Sequence, residues 1–260
     1  MVRFGMNIRL ATLNDLEAMT GVLIGASPLD PVYPYRFPDR HLYPSVFSNL
    51  CRQKCVEYLA TSAVVVCEMP SVSPDGPSSG EVDSGMQVVA FAAWDTPASQ
   101  ASLQSGGLGT SLVPATENAP LLTIGHKDRM DAFKTACARN KTSFFDATYG
   151  KRGHVMLKIL LCHPDYQRRG AGRALTEWGI QEARRLGLCT TVFASPMGLR
   201  LYKKLGFREM GRFKVQLEGD EEFLEIPALV LRPTHLVDQM TPCGIECGST
   251  PLYASSAACV

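Results

Sequence analysis

The feature that most constrains the fold is the stretch of residues 155–172, VMLKILLCHPDYQRRGAG. Its first half is largely apolar on both faces of an extended chain, a pattern typical of a strand that is covered on both sides. A His-Pro-Asp stop and a turn rich in glycine and arginine follow, and residues 173–186 have the apolar spacing of an amphipathic helix. The sequence therefore predicts a buried strand that leads through a tight turn into a helix.

The turn at residues 167–172, QRRGAG, is suited to binding an anion. A helix start presents unpaired backbone N–H groups and the positive end of a dipole, and glycines let the backbone approach a bound group closely. Guanidinium groups in the turn favour phosphate or pyrophosphate. The alternative is an ordinary strand-to-helix turn with solvated arginines, because short glycine patterns often occur without function.

Two familiar phosphate motifs are excluded. A Walker A loop needs Gly-Lys followed by Ser or Thr, whereas Gly172 is followed by Arg173 and Ala174. A dinucleotide-binding fingerprint needs a third small residue where Leu175 stands. If the turn binds an anion, it therefore does so in another class of protein.

The turn resembles the acetyl-CoA signature Q/R-x-x-G-x-G/A of the GNAT N-acetyltransferases. Residues 195–207, SPMGLRLYKKLGF, are similar to the closing helix of that family, which ends LYxKxGF. The two motifs occur in the family's order, so together they are more specific than either alone. The resemblance is strongest over 155–232, extends to 7–95 and is absent from 96–150; it is closest to the diverged GNAT-type proteins that are numerous in fungi.

This resemblance implies an α/β (α+β) fold of the GNAT type, with a mixed, mostly antiparallel sheet of six to seven strands flanked by about four helices. We expect a single domain over 7–232 with flexible insertions at 70–85 and 96–150, and a disordered tail at 233–260. Both insertions contain long runs of small and polar residues. Within the second insertion, residues 127–141 have the pattern of a helix.

The resemblance also implies that acetyl-CoA is the co-substrate. Its pantetheine arm would lie along the central strand and meet Leu160 and Cys162, and Ser195 would contribute at the start of the closing helix. The pyrophosphate would be held by the residues of the turn, which are Gln167, Arg168, Arg169, Gly170, Ala171, Gly172 and Arg173.

Tyr202 is the catalytic candidate, because it matches the tyrosine of the family's closing motif. A thiol has a pKa of about 8.5, so a leaving thiolate departs more easily when a nearby group gives it a proton. The alternative is that Tyr202 is a packed aromatic residue without a chemical role.

A general base is harder to identify, because an amine with a pKa of about 10 arrives charged and must lose a proton. Asp95 at the end of a predicted strand is one candidate, and His163 is another because imidazole titrates near neutral pH. His163 also precedes a proline and can simply shape the turn. The base is therefore left unassigned.

The resemblance implies an acetyl-CoA-dependent N-acetyltransferase that moves an acetyl group to a primary amine by direct attack in a ternary complex. One alternative is a non-catalytic GNAT-fold module that binds CoA or a partner. Another is an enzyme that acetylates proteins or peptides.

The four or more prolines at 28–44 predict a loop, and this loop has two interpretations. Its aromatic residues can form a plug over the core or the lining of an acceptor pocket. Acidic residues in this stretch are offset by basic ones, so it does not form the acidic groove that a lysine-rich protein tail would need. We therefore expect a small amine as the acceptor. The aromatic residues are Tyr33, Tyr35, Phe37 and Tyr43.

Composition narrows the partners further. The net charge is +1, which gives no sign of nucleic acid as a partner. The longest apolar runs are too short to span a bilayer and no signal peptide is evident, so we expect a cytoplasmic protein, with a nuclear location also compatible. The chain has nine cysteines without a CxxC pair, which favours reduced thiols and no metal site.

Overall fold

One seven-stranded sheet forms the centre of the molecule. The computed structural model describes residues 5–71, 85–99, 124–150 and 152–233. The sheet order is β1-β2-β3-β4-β5-β7-β6, and all neighbours are antiparallel except the parallel pair β4 and β5. This confirms the predicted mixed, mostly antiparallel sheet. The strands are β1 (Asn7–Leu10), β2 (Ala63–Pro70), β3 (Met86–Asp95), β4 (His154–Cys162), β5 (Cys189–Phe193), β6 (Arg208–Val215) and β7 (Leu224–Leu231).

Seven α-helices occur in the described part of the chain, more than the four or so predicted. The additional helices lie in the proline-rich stretch after the first helix and in the segment before β4. A π-helical turn at Lys141–Asp146 joins α4 to α5. The helices are α1 (Leu16–Ala26), α2 (Val32–Arg36), α3 (Pro44–Thr61), α4 (Lys127–Asn140), α5 (Ala147–Tyr149), α6 (Ala171–Arg185) and α7 (Pro196–Lys204).

The sheet is covered on both faces, as the apolar strands predict. On one face α6 and α7 bury a core that includes Trp94 and Leu175. On the other face α1 and α3 bury a second core that includes Met19 and Phe91. Because paired strands lie between the two cores, a group buried on one face of the sheet can meet a group on the other face only where neighbouring strands are not paired.

Helix α6 lies unusually close to the sheet because Gly179 faces Trp94. A Cβ atom on Gly179 would come within 3.0 Å of ring atoms of Trp94, whose side chain is fully buried. The indole ring therefore fills the space that any larger residue at position 179 would need. This contact sets the distance between α6 and β3, the strand that contains Trp94.

The prediction of a loop is wrong for the proline-rich stretch at 28–44. The stretch forms short helical turns, in which Pro28, Pro38 and Pro44 occupy first-turn positions that need no N–H donor. Tyr33, Tyr35 and Phe37 are all less than 10% exposed and pack into the core. Of the two interpretations, these three residues therefore follow the plug, whereas Tyr43 is exposed.

The segment before β4 contains the helix predicted at 127–141, which is found at Lys127–Asn140. Residues 127–149 form helices that pack on the sheet, with Phe145 fully buried, and the flexible insertion at 96–150 stays a prediction. Arg129 anchors α4 through ion pairs to Glu222 and, at 2.6 Å, to Asp220. The predictions for 100–123, for most of 70–85 and for the tail after 233 fall outside the described residues, and the domain limits stay predictions.

His154 at the start of β4 fastens this segment to the sheet. Its Nε2 atom lies 3.1 Å from Asp146 Oδ1, and its Nδ1 atom lies 2.7 Å from the hydroxyl of Thr191 on β5. Lys141 donates to the same carboxylate at 2.8 Å. Burial lowers the pKa of His154, and the hydrogen bond to Asp146 offsets only part of that effect. The neutral imidazole therefore bridges the π-helical turn and two strands.

The close approach of α6 gives a stability prediction. Gly179→Ala should lower the free energy of unfolding by about 1–3 kcal/mol, because the buried indole cannot move aside. Gly21→Ala on the exposed face of α1 is the matched control, since an added methyl group meets nothing within 4 Å there. It should leave stability unchanged or raise it by up to about 1 kcal/mol. Urea denaturation measures both, and equal stabilities would contradict the packing.

The His154 contacts give a prediction about pH. The pKa of His154 is lower in the folded than in the unfolded chain, so the unfolded chain takes up the proton first as the pH falls. Its contribution to stability is therefore present above pH 6.5 or so and lost below it. The free energy of unfolding should drop between pH 7 and pH 5 more steeply for the wild type than for His154→Gln. If the free energies of unfolding of the wild type and of His154→Gln changed by the same amount between pH 7 and pH 5, His154 would not titrate in this way.

Candidate active site

Strand β4 contains one extra residue relative to β3. Trp94 lies opposite Leu157 and Ala93 lies opposite Ile159, so Lys158 has no partner in the register and forms a β-bulge. The bulge exchanges the two faces of the strand. Before it Leu157 points into the core under α6, and after it Ile159 points into the core under α1 and α3.

The bulge is also the place where β4 and β5 separate. Their parallel pairing runs from His154 to Leu157 on β4 and ends there. Beyond Leu157 no described strand pairs with this edge of β4, and after β5 the N–H of Ala194 donates to Pro227 at 2.9 Å. Strand β5 itself ends at Phe193, so residues 158–162 of β4 have an edge without a strand partner among the described residues, which we call the β4–β5 gap.

Backbone groups of Leu160 and Cys162 line this gap. The N–H of His163 donates to Val89 of β3 at 2.8 Å, and in an antiparallel pair alternate residues direct their backbone groups to the same side. Those of Leu160 and Cys162 consequently point away from β3. The side-chain amide of Gln167 lies 3.4 Å from the carbonyl oxygen of Cys162, in agreement with this orientation.

The predicted turn has the backbone geometry of an anion site. Arg168 and Gly170 both have positive φ angles, 63° and 100°, and Gly170 precedes the first residue of α6. The first helical hydrogen bond joins the N–H of Ala174 to Gly170 at 3.0 Å. The N–H groups of the three residues between them have no intrahelical acceptor and are available to a ligand.

The turn opens onto the β4–β5 gap. A Cβ atom on Gly172 would lie 3.5 Å from Leu201 of α7 and 3.8 Å from Leu160 of β4. The start of α6, helix α7 and the unpaired part of β4 thus meet around one glycine. A chain-like ligand held at the turn could continue into the gap without crossing a helix.

Arginine side chains supply positive charge at the turn. Arg169 donates to the carbonyl oxygen of Asp165 at 2.8 Å and stacks 4.9 Å from the ring of Tyr166. Arg173 pairs with Glu177 at 2.8 Å but remains largely exposed, as does Arg168. Free N–H groups, two residues with positive φ and three guanidinium groups together fit a diphosphate.

Tyr202 reaches the site from α7. Its ring is buried and lies over Gly198, where a Cβ atom would come 2.7 Å from Tyr202 Cε2. Burial first, and the carboxylate of Asp30 second, raise the pKa of the Tyr202 hydroxyl. Tyr202 is therefore a neutral hydroxyl that can donate a proton or a hydrogen bond.

Ser195 caps α7. Its hydroxyl oxygen accepts a hydrogen bond from the N–H of Gly198 at 3.4 Å, as the Ser-Pro start of this helix indicates. This accounts for the Ser195 side chain without a ligand. Its contact with a cofactor stays a prediction.

The two candidates for the general base have other partners. Asp95 forms an ion pair with Lys158 at 3.3 Å and accepts a hydrogen bond from Ser62 at 3.4 Å. His163 packs edge-on against Tyr166, and Gly25 of α1 lies against its other side. The contacts of His163 agree with its role in shaping the turn.

Two features of the site were missed in the sequence. Lys158 has the position of an ordinary strand residue in the sequence, and only its lone charge within an apolar run sets it apart. Asp30 counts in the sequence only as one acidic residue of the stretch at 28–44, although its charge acts on Tyr202. No local pattern could have linked Asp30 to a residue so distant in sequence.

Metal-binding clusters and membrane-spanning helices are both absent from the described ranges. No cluster of three or more His, Cys, Asp or Glu side chains there could hold a metal ion. Among the same residues, no helix has both the length and the apolar character needed to cross a membrane.

Comparison with known proteins identifies this arrangement. Residues 131–209 match the family model described as the acetyltransferase (GNAT) domain. An acetyltransferase of Stachybotrys chartarum is 26% identical over 220 residues, which cover 83% of this chain and 86% of that protein. This fungal relative agrees with the resemblance to fungal GNAT-type sequences.

Solved structures share the fold. A structure from Corynebacterium glutamicum, named for histone acetyltransferase HPA2 and related acetyltransferases, has a TM-score of 0.52 at 17% identity and covers 92% of this chain and 99% of its own. Mosquito arylalkylamine N-acetyltransferase like 5b also has a TM-score of 0.52, at 16% identity, with coverages of 87% and 99%. The family-model match over residues 131–209, the fungal relative and the shared fold all agree with a GNAT-type acetyltransferase domain.

Proposed function

We propose that the chain is an N-acetyltransferase that moves the acetyl group of acetyl-CoA to a small primary amine by direct attack in a ternary complex. The observation that carries this proposal is the unpaired edge of β4, which lies beside the start of α6 and beside Leu201 of α7, the neighbour of Tyr202 in the chain. Bound acetyl-CoA would supply an activated thioester. The residues around the gap would hold it, orient it and move protons.

Each wall of the gap has a separate task in this proposal. Backbone N–H groups at the start of α6 and the arginines of the turn would hold the pyrophosphate. The backbone groups of Leu160 and Cys162 would hydrogen-bond the pantetheine arm and stabilise negative charge that develops on the acetyl oxygen. Lys158, which forms the bulge, lies at the start of the part of β4 that has no partner in β5.

Tyr202 would donate a proton to the sulfur that leaves. Its raised pKa keeps the hydroxyl neutral, so it has a proton to give. Its position on α7, above Gly198 and close to the start of α6, supports this role. Phe207, whose ring centre lies 5.6 Å away, restricts the rotation of the Tyr202 ring.

A small amine is the proposed acceptor because no concentrated negative charge is evident in the stretch at 28–44. The guanidinium group of Arg36, in this stretch, stacks on the rings of Tyr33, Phe37 and Phe133, with its central carbon 4.6–5.2 Å from the ring centres. Steady-state rates with phenethylamine, spermidine, amino acids and basic peptides would test this choice. Turnover of basic peptides alone would favour a protein acetyltransferase, and binding of acetyl-CoA without turnover of any amine would favour a non-catalytic module.

The turn gives a binding prediction. Gly170→Val should weaken acetyl-CoA binding at least tenfold or so, because a β-branched residue is strained at φ 100° and displaces the backbone that faces the ligand. Gly187→Val is the matched control, since it imposes similar strain at φ 67° at the other end of α6 with nothing within 4 Å. Calorimetry on folded variants measures both. Equal affinities would show that the ligand does not use this turn.

Tyr202 gives a kinetic prediction. Tyr202→Phe should lower kcat by about 100-fold and leave the Kd for acetyl-CoA unchanged, because the hydroxyl acts on the departing sulfur rather than in binding. Tyr58→Phe, at another buried tyrosine, controls for the loss of a hydroxyl from the core. Wild-type turnover in Tyr202→Phe would reduce Tyr202 to a packing residue.

A further inference from the structure

Arg36, at the end of α2, is enclosed by aromatic rings. The central carbon of its guanidinium group lies 5.2 Å from the ring centre of Tyr33, 5.0 Å from that of Phe37 and 4.6 Å from that of Phe133. The first two rings come from the proline-rich stretch, and the third comes from α4. Its Nε atom also donates to the carbonyl oxygen of Val32 at 3.2 Å. The guanidinium group is therefore held in place by contacts with both helices.

The two outer nitrogen atoms of Arg36, Nη1 and Nη2, have no partner among the described residues. The guanidinium group forms no ion pair there, and its hydrogen bond uses Nε. Asp30, an acidic residue of the same stretch, instead accepts a hydrogen bond from the N–H of Val32 at 3.1 Å. Arg36 is partly buried, and cation–π contacts offset only part of the cost of removing a charge from water. Nη1 and Nη2 are thus available to an anion.

Arg129 of α4 makes a useful contrast with Arg36. It also stacks on an aromatic ring of the stretch at 28–44, with its central carbon 4.8 Å from the ring centre of Tyr35. Its charge, however, is met by Glu222 and, at 2.6 Å, by Asp220. The same kind of stacked guanidinium group is neutralised in one place and lacks a described counter-charge in the other. An added anion is therefore expected at Arg36 and not at Arg129.

The rings around Arg36 belong to two apolar clusters on one face of the sheet. The two rings from the proline-rich stretch pack in the cluster that contains Leu161 of β4. Phe133 packs in the cluster that contains Phe193, the last residue of β5. Because Leu161 lies in the unpaired part of β4 and Phe193 lies where β5 ends, the two clusters flank the β4–β5 gap. Arg36 therefore lies at their boundary, on the face of the sheet opposite α6 and α7.

A carboxylate is the anion that suits this arrangement. With Nε bound to Val32, the outer end of the guanidinium group presents two coplanar donors, which match the two oxygen atoms of a carboxylate. In the proposed function, the phosphates of acetyl-CoA are held at the start of α6, on the other face of the sheet. The anion at Arg36 is therefore assigned to the second substrate.

We propose that Arg36 binds a carboxylate of the acceptor, so that the acceptor is an amino acid rather than an amine without an acidic group. This inference rests on the proposed N-acetyltransferase function and names the class of its acceptor. The amino group of the acceptor reaches the β4–β5 gap while its carboxylate stays at Arg36. Arg36 takes no part in bond formation, and it acts as a residue that determines specificity.

Pairs of compounds that differ only in a carboxylate test this inference. The pairs are phenylalanine and phenethylamine, lysine and cadaverine, and leucine and 3-methylbutylamine. In the pair that the wild type acetylates fastest, kcat/KM for the amino acid should exceed that for its amine about tenfold or more. The reason is that only the amino acid can make the two charged hydrogen bonds to the guanidinium group.

Two variants locate the source of this preference. Arg36→Gln should raise KM for the amino acid about tenfold or more and leave its kcat nearly unchanged, because the lost contact is made equally in the bound state and the transition state. KM for the paired amine should stay as in the wild type. Arg40→Gln is the matched control, since Arg40 is a cation of the same stretch whose side chain donates to the carbonyl oxygen of Phe37 at 3.1 Å. It should follow the wild type with both compounds.

A second measurement uses the wild type and does not depend on turnover. In protein labelled with nitrogen-15 arginine, the Nε–H resonance of Arg36 is assigned by its absence from the spectrum of Arg36→Gln or, should that variant not fold, of Arg36→Lys. With CoA bound in place of acetyl-CoA, the amino acid of the preferred pair should shift this resonance. The paired amine, at the same concentration, should leave it in place.

The outcomes separate this inference from the proposed function. Amines acetylated as well as their amino acids, a preference that survives in Arg36→Gln, or an Arg36 resonance that the amino acid does not shift overturns the role of Arg36 and leaves the N-acetyltransferase function standing. A weaker affinity of folded Arg36→Gln for acetyl-CoA itself assigns the guanidinium group to the cofactor and also overturns the inference. A wild type that binds acetyl-CoA and acetylates none of these compounds overturns both.

Discussion

The architecture of the site depends on one extra residue in β4. A regular strand would continue to pair with β5 and would leave no backbone group unpaired between them. The bulge at Lys158 shifts the register against β3 and reverses the direction of the side chains that follow, and the pairing with β5 ends at Leu157, just before it. Buried backbone groups without partners are costly, so such an edge persists in a core only if something else satisfies it. A ligand with amide groups along its length is well matched to that requirement.

An open edge also needs rigid surroundings, and these come from close packing on both sides. Trp94 against Gly179 fixes the height of α6, and Gly172 lets the start of that helix approach α7 and β4. On the opposite face, Gly25 lets the end of α1 approach His163. Glycines thus occur where helices come nearest to the gap, because a side chain at these positions would force the walls apart.

How far the sequence predicts this structure depends on the range of the interactions involved. The strand, turn and helix around Gly170 and the Ser-Pro start of α7 are encoded by neighbouring residues, and they were predictable. The burial of Tyr35 and the packing of α4 were not, because they depend on Arg129, which reaches Asp220 across the molecule. The prediction of a loop for the proline-rich stretch failed for a local reason, since proline is compatible both with a loop and with the first turn of a helix.

The anchoring of the chain on both sides of residues 100–123 has a consequence for how this protein can vary. Before them Thr96 and Ser99 bond to each other, and after them Ile124 is fully buried. When both ends of a connection are fixed by the fold, the entropy of closing it changes slowly with length, by about 0.6 kcal/mol for each doubling. Related chains can therefore gain or lose many residues here while β3, β4 and the site between them keep their geometry.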